Sequence, residues 1–163
     1  MWAAEKAASA RNGLIVADSI ASERSTAQDS DHFFRLSPEL LGIAGFDGYL
    51  KSINPAWTKT LGFSSAELLS KPSLEWVHPE DRDRTRAAAL QIGKSETIIG
   101  FRNRCRCRDG TYRVLEWQMT PLNERQIIYV SGHDITESVA TGEALRDLSE
   151  SLATTLNSIL VTE

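Results

Sequence analysis

Phe101-Arg102-Asn103-Arg104-Cys105-Arg106-Cys107-Arg108 alternates two classes of side chain without a break, and Asp109-Gly110-Thr111-Tyr112 follows it. Period two over eight residues marks an extended strand with one face on a core and the other toward water. Phe101, Asn103, Cys105 and Cys107 share the inner face; Arg102, Arg104, Arg106 and Arg108 share the outer one. Asp109-Gly110 then turns the chain back, because both residues tolerate positive φ. The returning run, Tyr112 to Leu122, alternates as well, with Leu115, Trp117 and Met119 on one face and Tyr112, Val114, Glu116 and Gln118 on the other. Asn123-Glu124 leads into a third run, Ile127 to Ile135. These runs predict a three-stranded antiparallel meander.

Upstream, Leu40 to Ala44 and Tyr49 to Ile53 flank Phe46-Asp47-Gly48, a second Asp-Gly hairpin signal. Asn54 is placed to cap a short helix that has Pro55 in its first turn, carries Trp57 and Leu61 inward and ends at Gly62. Ser64-Ser65-Ala66-Glu67 reads as a capping box. A further turn holds Leu74, Trp76 and Val77, and His78-Pro79-Glu80-Asp81-Arg82 opens a longer helix to about Ile92. Glu80 and Asp81 are expected to complement the positive end of its dipole. Asp31-His32-Phe33-Phe34 starts a short amphipathic helix ending near Ser37-Pro38. The fold class is therefore α+β: a five-stranded antiparallel sheet with short helices packed on one face, flanked by helical segments at both ends.

Three parts are expected. Residues 1–30, rich in Ala and Ser, form a linker or leader helix, with Ser25 to Ser30 read as linker. Residues 31–136 form the globular domain. Residues 137–163 form a helix whose Leu145, Leu148, Leu152 and Ile159 follow 3-4 spacing, a coiled-coil seam. That seam predicts a homodimer, the alternative being a helix folded back on its own sheet.

Composition narrows the function. The 163 residues hold 22 acidic and 18 basic side chains, a net charge of −4, so no global basic excess points to nucleic acid. Apolar runs such as Ile127–Val130 fall far short of the ~20 residues that span a bilayer. Glu5, Lys6, Arg11 and Asn12 interrupt the N-terminal alanines, unlike a signal peptide. Two cysteines build no disulfide framework and point to a reducing cytosol. Three scattered histidines and two cysteines make no metal pattern. His32, His78 and His133 lack the setting of a phosphoacceptor, and there is no glycine-rich phosphate loop or nucleophile triad. A non-enzymatic module is expected.

Several inward positions are candidates for ligand contact. Asn103 is the most telling, because a buried amide left unpaired costs roughly 1–3 kcal/mol. Its partner is expected to be a backbone carbonyl, water or a ligand. Gly132, inward by parity, removes side-chain volume and is consistent with a cavity. Trp57, Trp76, Phe101 and Cys105 join these two as candidates, as do Leu115, Trp117 and Val130. Cys105 and Cys107 share a face, where a direct disulfide would be strained; they read as small hydrophobes or as a thiolate sensor. The stripe Arg102–Arg108, with Arg113 opposite, could contact phosphates or pair across strands with Glu116.

Six motifs in order tie these elements to a family. They are Gly45-Phe46-Asp47-Gly48, Asn54-Pro55-Ala56-Trp57, Leu61-Gly62-Phe63-Ser64, His78-Pro79-Glu80-Asp81-Arg82, Arg108-Asp109-Gly110-Thr111-Tyr112 and Asp134-Ile135-Thr136-Glu137. From Asp31 to Glu137 the chain resembles a PAS sensor domain. The resemblance implies a regulatory sensor and dimerisation module of a bacterial signalling protein, most often a sensor histidine kinase of a two-component phosphorelay or a cyclic-dinucleotide enzyme. A ligand-free interaction domain is the alternative. The resemblance also implies a downstream output domain, and that Asp134 and Thr136 join the sheet to the exit helix. The light-sensing branch's Asn-Cys-Arg-Phe-Leu-Gln motif is absent, and residues 80–92 hold no axial histidine, which argues against flavin and haem. No cofactor is otherwise implied.

Overall fold

The computed structural model describes residues 25–160, with side chains as far as Leu152. The chain separates at Ser37–Pro38 into two compact units. In the first, α1 spans residues 25–36. The linker expected over Ser25 to Ser30 is thus helical. The Ser30 hydroxyl donates to the Thr26 carbonyl one turn back (2.9 Å), so it does not pull the backbone out of the helix. The expectation for residues 1–24 lies outside the described residues.

The second unit is built on one sheet in the order β2-β1-β5-β4-β3, antiparallel throughout. Its strands are β1 (Leu40–Gly45), β2 (Leu50–Ile53), β3 (Ile98–Arg106), β4 (Tyr112–Leu122) and β5 (Ile127–Asp134). Both Asp-Gly turns form. Gly48 and Gly110 sit at φ +80° and +88°, where a Cβ would be strained. Between β2 and β3 run α2 (Pro55–Leu61), α3 (Ser65–Ser70), a 3-10 turn Ser73–Trp76, a second 3-10 turn Pro79–Asp81, and α4 (Arg82–Ile92). The parity of β3 and β4 holds: Asn103, Cys105, Leu115 and Trp117 are buried with Leu40, Leu61 and Leu68.

The Ser64–Glu67 capping box closes α3. Asn54 does something else. It stands at the N-cap of α2 without a side-chain cap bond. Its Oδ1 accepts from the Leu41 amide (3.1 Å) and its Nδ2 donates to the Glu39 carbonyl (2.8 Å). At 1% exposure it ties α2 to the entry of β1, a tertiary demand that overrides the local cap.

The outer edge of β3 is covered at Arg104 and Cys105. Val77 bridges Cys105, the His78 amide donates to the Arg104 carbonyl (2.8 Å), and the Arg104 amide donates to Asp81 Oδ2 (2.7 Å). Asp81 is therefore buried against a strand and is not a free charge at the start of α4. Beyond β5, α5 runs Thr136–Leu160. Among the described residues no helix is long and apolar enough to cross a membrane.

Candidate functional site

Between the helices and the inner face of the sheet lies a cavity of about 170 Å³. Trp57, Trp76, Phe101, Asn103, Cys105, Trp117 and Val130 line it. Leu115 and Gly132 do not. Leu115 is wholly buried in the core, and a Cβ on Gly132 would overlap Cζ3 and Cε3 of the Trp117 indole. The volume that Gly132 leaves open is thus filled by Trp117 rather than left to the cavity. Parity identified the face correctly but not what occupies it.

Trp117 is held in place on two sides. Its ring lies 5.3 Å from that of Trp57, tilted by 31°. Its Nε1 donates to Asn103 Oδ1 (2.8 Å), which also accepts from Cys105 Sγ (3.4 Å). Asn103 Nδ2 donates to Thr85 Oγ1 (3.3 Å), and that hydroxyl donates to the Asp81 carbonyl (2.7 Å). The partners of Asn103 are therefore side chains of β4, β3 and α4. Thr85 carries no sequence signal, because a threonine inside a helix is chemically ordinary until a strand residue 18 positions away reaches it.

The cysteines are both free and buried. Burial, the largest cause, pushes the Cys105 thiol up to about 12, so it stays protonated. Cys107 Sγ points to the Thr60 carbonyl (3.7 Å). Among the described residues, Trp76 Nε1 is the buried side-chain nitrogen or oxygen left without a hydrogen-bond partner.

The arginine stripe is largely paired. Arg102 meets Glu116 (2.7 Å), Arg104 meets Asp81 (2.9 Å) and Glu80 (2.8 Å), and Arg108 meets Glu67 (3.2 Å). Arg106 lies 6.0 Å from the ring centres of Phe63 and Trp76. The Arg104 side chain holds the Asp81 carboxyl well below the usual carboxylate range. No group of three or more His, Cys, Asp or Glu gathers as a metal site among the described residues.

At the exit from β5, Asp134 Oδ1 accepts from the Thr136 amide (3.0 Å) and hydroxyl, and Thr136 Oγ1 in turn accepts from the Val114 amide (2.9 Å). Arg113, which the sequence reading placed only in the basic stripe, donates to Asp134 Oδ2 (3.3 Å). On α5, Leu145, Leu148 and Leu152 are 64%, 60% and 57% exposed, so this part of the seam is not folded back on the sheet. Ile159 lies outside the described side chains.

Comparison with known proteins agrees with this architecture. The chain is similar to the PAS domain of an HTR-like protein from Haloarcula marismortui, at 18% identity and a TM-score of 0.62, covering 72% of this chain and 98% of that one. It is also similar to a domain of a sensory box sensor histidine kinase/response regulator from Geobacter sulfurreducens, at 19% identity and a TM-score of 0.57, covering 67% and 94%. An RNA-binding Light-Oxygen-Voltage receptor matches at 19% identity and a TM-score of 0.63, over 76% of this chain and 37% of that one. No curated protein matches the chain. The family model described as the PAS fold matches residues 50–133, 84 positions that make up just over half of the chain. With a five-stranded sheet, a row of short helices over its inner face and a long helix leaving its last strand, this chain belongs to the PAS fold family.

Proposed function

We propose that this domain is a sensor and dimerisation module of a cytoplasmic signalling protein. It takes a small molecule between its sheet and helices and passes the change through α5 to an output domain, most simply a histidine kinase. It performs no chemistry of its own. The observation that carries this reading is the cavity of about 170 Å³ beside Asn103, which the Trp117 indole joins by a hydrogen bond to β4, the strand that also holds the root of α5. A ligand that shifts β3 or β4 thereby acts on the angle at which α5 leaves. The exposed leucine seam supports pairing of two α5 helices, which would set two sensors side by side. The pairing of Arg102, Arg104 and Arg108 with carboxylates disfavours a nucleic-acid role.

Native mass spectrometry of the freshly purified chain tests the reading. A co-purified small molecule that is lost on denaturation is the expected result. If the chain carries no ligand and binds none in a small-molecule screen, it is an interaction domain with an unused cavity.

A further inference from the structure

Asn103 carries one hydrogen-bond donor more than the protein uses. Which end of its amide faces which way is settled by chemistry, because an indole nitrogen only donates, so the atom facing Trp117 Nε1 must be Oδ1. Oδ1 then accepts from Trp117 and from Cys105, which uses both of its lone pairs. Nδ2 has two protons. One goes to Thr85 Oγ1, and the other has no acceptor among the described residues, on a side chain only 4% exposed. Trp76, in the same cavity wall, adds a second buried donor without a partner.

The rest of the lining narrows what would complement these donors. None of the residues lining the cavity is charged, and the Cys105 thiol stays neutral. Arg84 over the Phe101 ring and Lys71 and Arg106 over the Trp76 ring are not among the lining residues. An anion inside would lose its hydration with no cation in the lining to meet it, which is costly. Four aromatic rings line it: the Trp57 and Trp117 indoles lie side by side, and Phe101 and Trp76 belong to the same lining. A cavity of roughly 150 Å³ accommodates benzene, so about 170 Å³ suits one ring with a short substituent.

We propose that the cavity takes a small, neutral, planar aromatic compound whose carbonyl oxygen accepts the second amide proton of Asn103. This rests on the sensor reading, in that it presumes the cavity takes a ligand at all, and it adds the ligand's chemical class.

The test is a titration of the full chain with three probes: acetophenone, its near-isostere α-methylstyrene, in which C=CH2 replaces C=O, and benzoate. Acetophenone should bind roughly tenfold more tightly than α-methylstyrene, the ratio expected of one net hydrogen bond, and benzoate should be the weakest. In nitrogen-15 spectra, acetophenone alone should move one Asn103 side-chain amide proton downfield. Asn103→Leu should bring the two neutral probes to equal affinity; if it does not fold, the comparison on the unmodified chain decides. Equal affinity for the neutral probes, or preference for benzoate, overturns the proposed class and leaves the sensor reading standing. No binding of any probe at millimolar concentration also overturns the proposed class, and the sensor reading falls with it only when native mass spectrometry of the same chain finds no ligand.

Discussion

The main-chain amide of Val114 donates to the Thr136 hydroxyl (2.9 Å), and the Ile135 amide donates back to the Val114 carbonyl (2.9 Å). One residue of β4 thus holds both ends of the step from β5 to α5. Its register partner in β3 is Arg104, whose amide and side chain both bond Asp81. Asp81 in turn meets the cavity residue Asn103 through Thr85. Cavity and exit helix are therefore one ladder pair apart.

Removing the junction should loosen the exit without unfolding the sheet. Asp134→Ala takes away an acceptor at the start of α5 and should cost about 1 kcal/mol. Hydrogen exchange at residues 136–139 should speed up, while the core of β4 stays protected. Joined to an output domain of the kind proposed above, the same variant should separate input from output. Intact signal response with only lower stability would reduce Asp134 to a helix cap.

Acid should weaken the fold through Asp81. Its carboxyl titrates below its ordinary value first because the Arg104 side chain bonds it, with the Arg104 amide and Arg84 adding to this against the opposing effect of burial. A depressed native pKa contributes stability that is full above the unfolded value, near 3.9, and lost as pH falls toward the native one. The urea midpoint should therefore drop between about pH 5 and pH 2.5. Asp81→Asn should cost about 2 kcal/mol at neutral pH and show a shallower drop. Parallel pH profiles for the two proteins would remove Asp81 from the account.

Gly132→Ala should be among the more damaging single-methyl changes in the domain. The added Cβ overlaps the Trp117 ring, and overpacking of this kind costs about 1–3 kcal/mol. Relief requires the indole to move, which strains its bond to Asn103. Thermal melts should show the loss, and tryptophan fluorescence should shift with it. An unchanged melt would mean that β5 gives way instead of the ring.

The α5 seam should govern self-association. Leu148→Ser with Leu152→Ser removes two exposed apolar side chains and leaves the sheet untouched. Sedimentation at micromolar concentration should show a dimer for the unmodified chain and a monomer for the variant. A monomer in both cases would remove the seam from the interface.

Much of this fold is legible because it is periodic. The β3 alternation sorted Asn103 and Cys105 from the arginines, and Asp47-Gly48, Asp109-Gly110 and Ser64–Glu67 marked their turns and cap from local chemistry alone. What was missed depends on partners far away in the chain. Asn54 looked like a cap, since nothing local shows that Glu39 and Leu41 would claim it. Asp81 looked like a dipole charge, because Arg104 lies 23 residues further on. Gly132 was assigned to the right face, but only the packed Trp117 shows why a side chain is absent there. Thr85 and the second donor of Asn103 emerge only from a count of bonds in three dimensions.

The covered edge of β3 has a consequence for how copies of this protein can meet. An open strand edge is a template for another chain, and uncovered edges invite aggregation. Here the Asp81 carboxylate takes the Arg104 amide in place of a neighbouring strand, while Val77 and His78 occupy the positions beside it. This stretch of β3 cannot be extended by strand addition. Concentrating the protein should not drive growth from this stretch, and a second copy that meets β3 at Arg104 and Cys105 does so without the hydrogen-bond ladder.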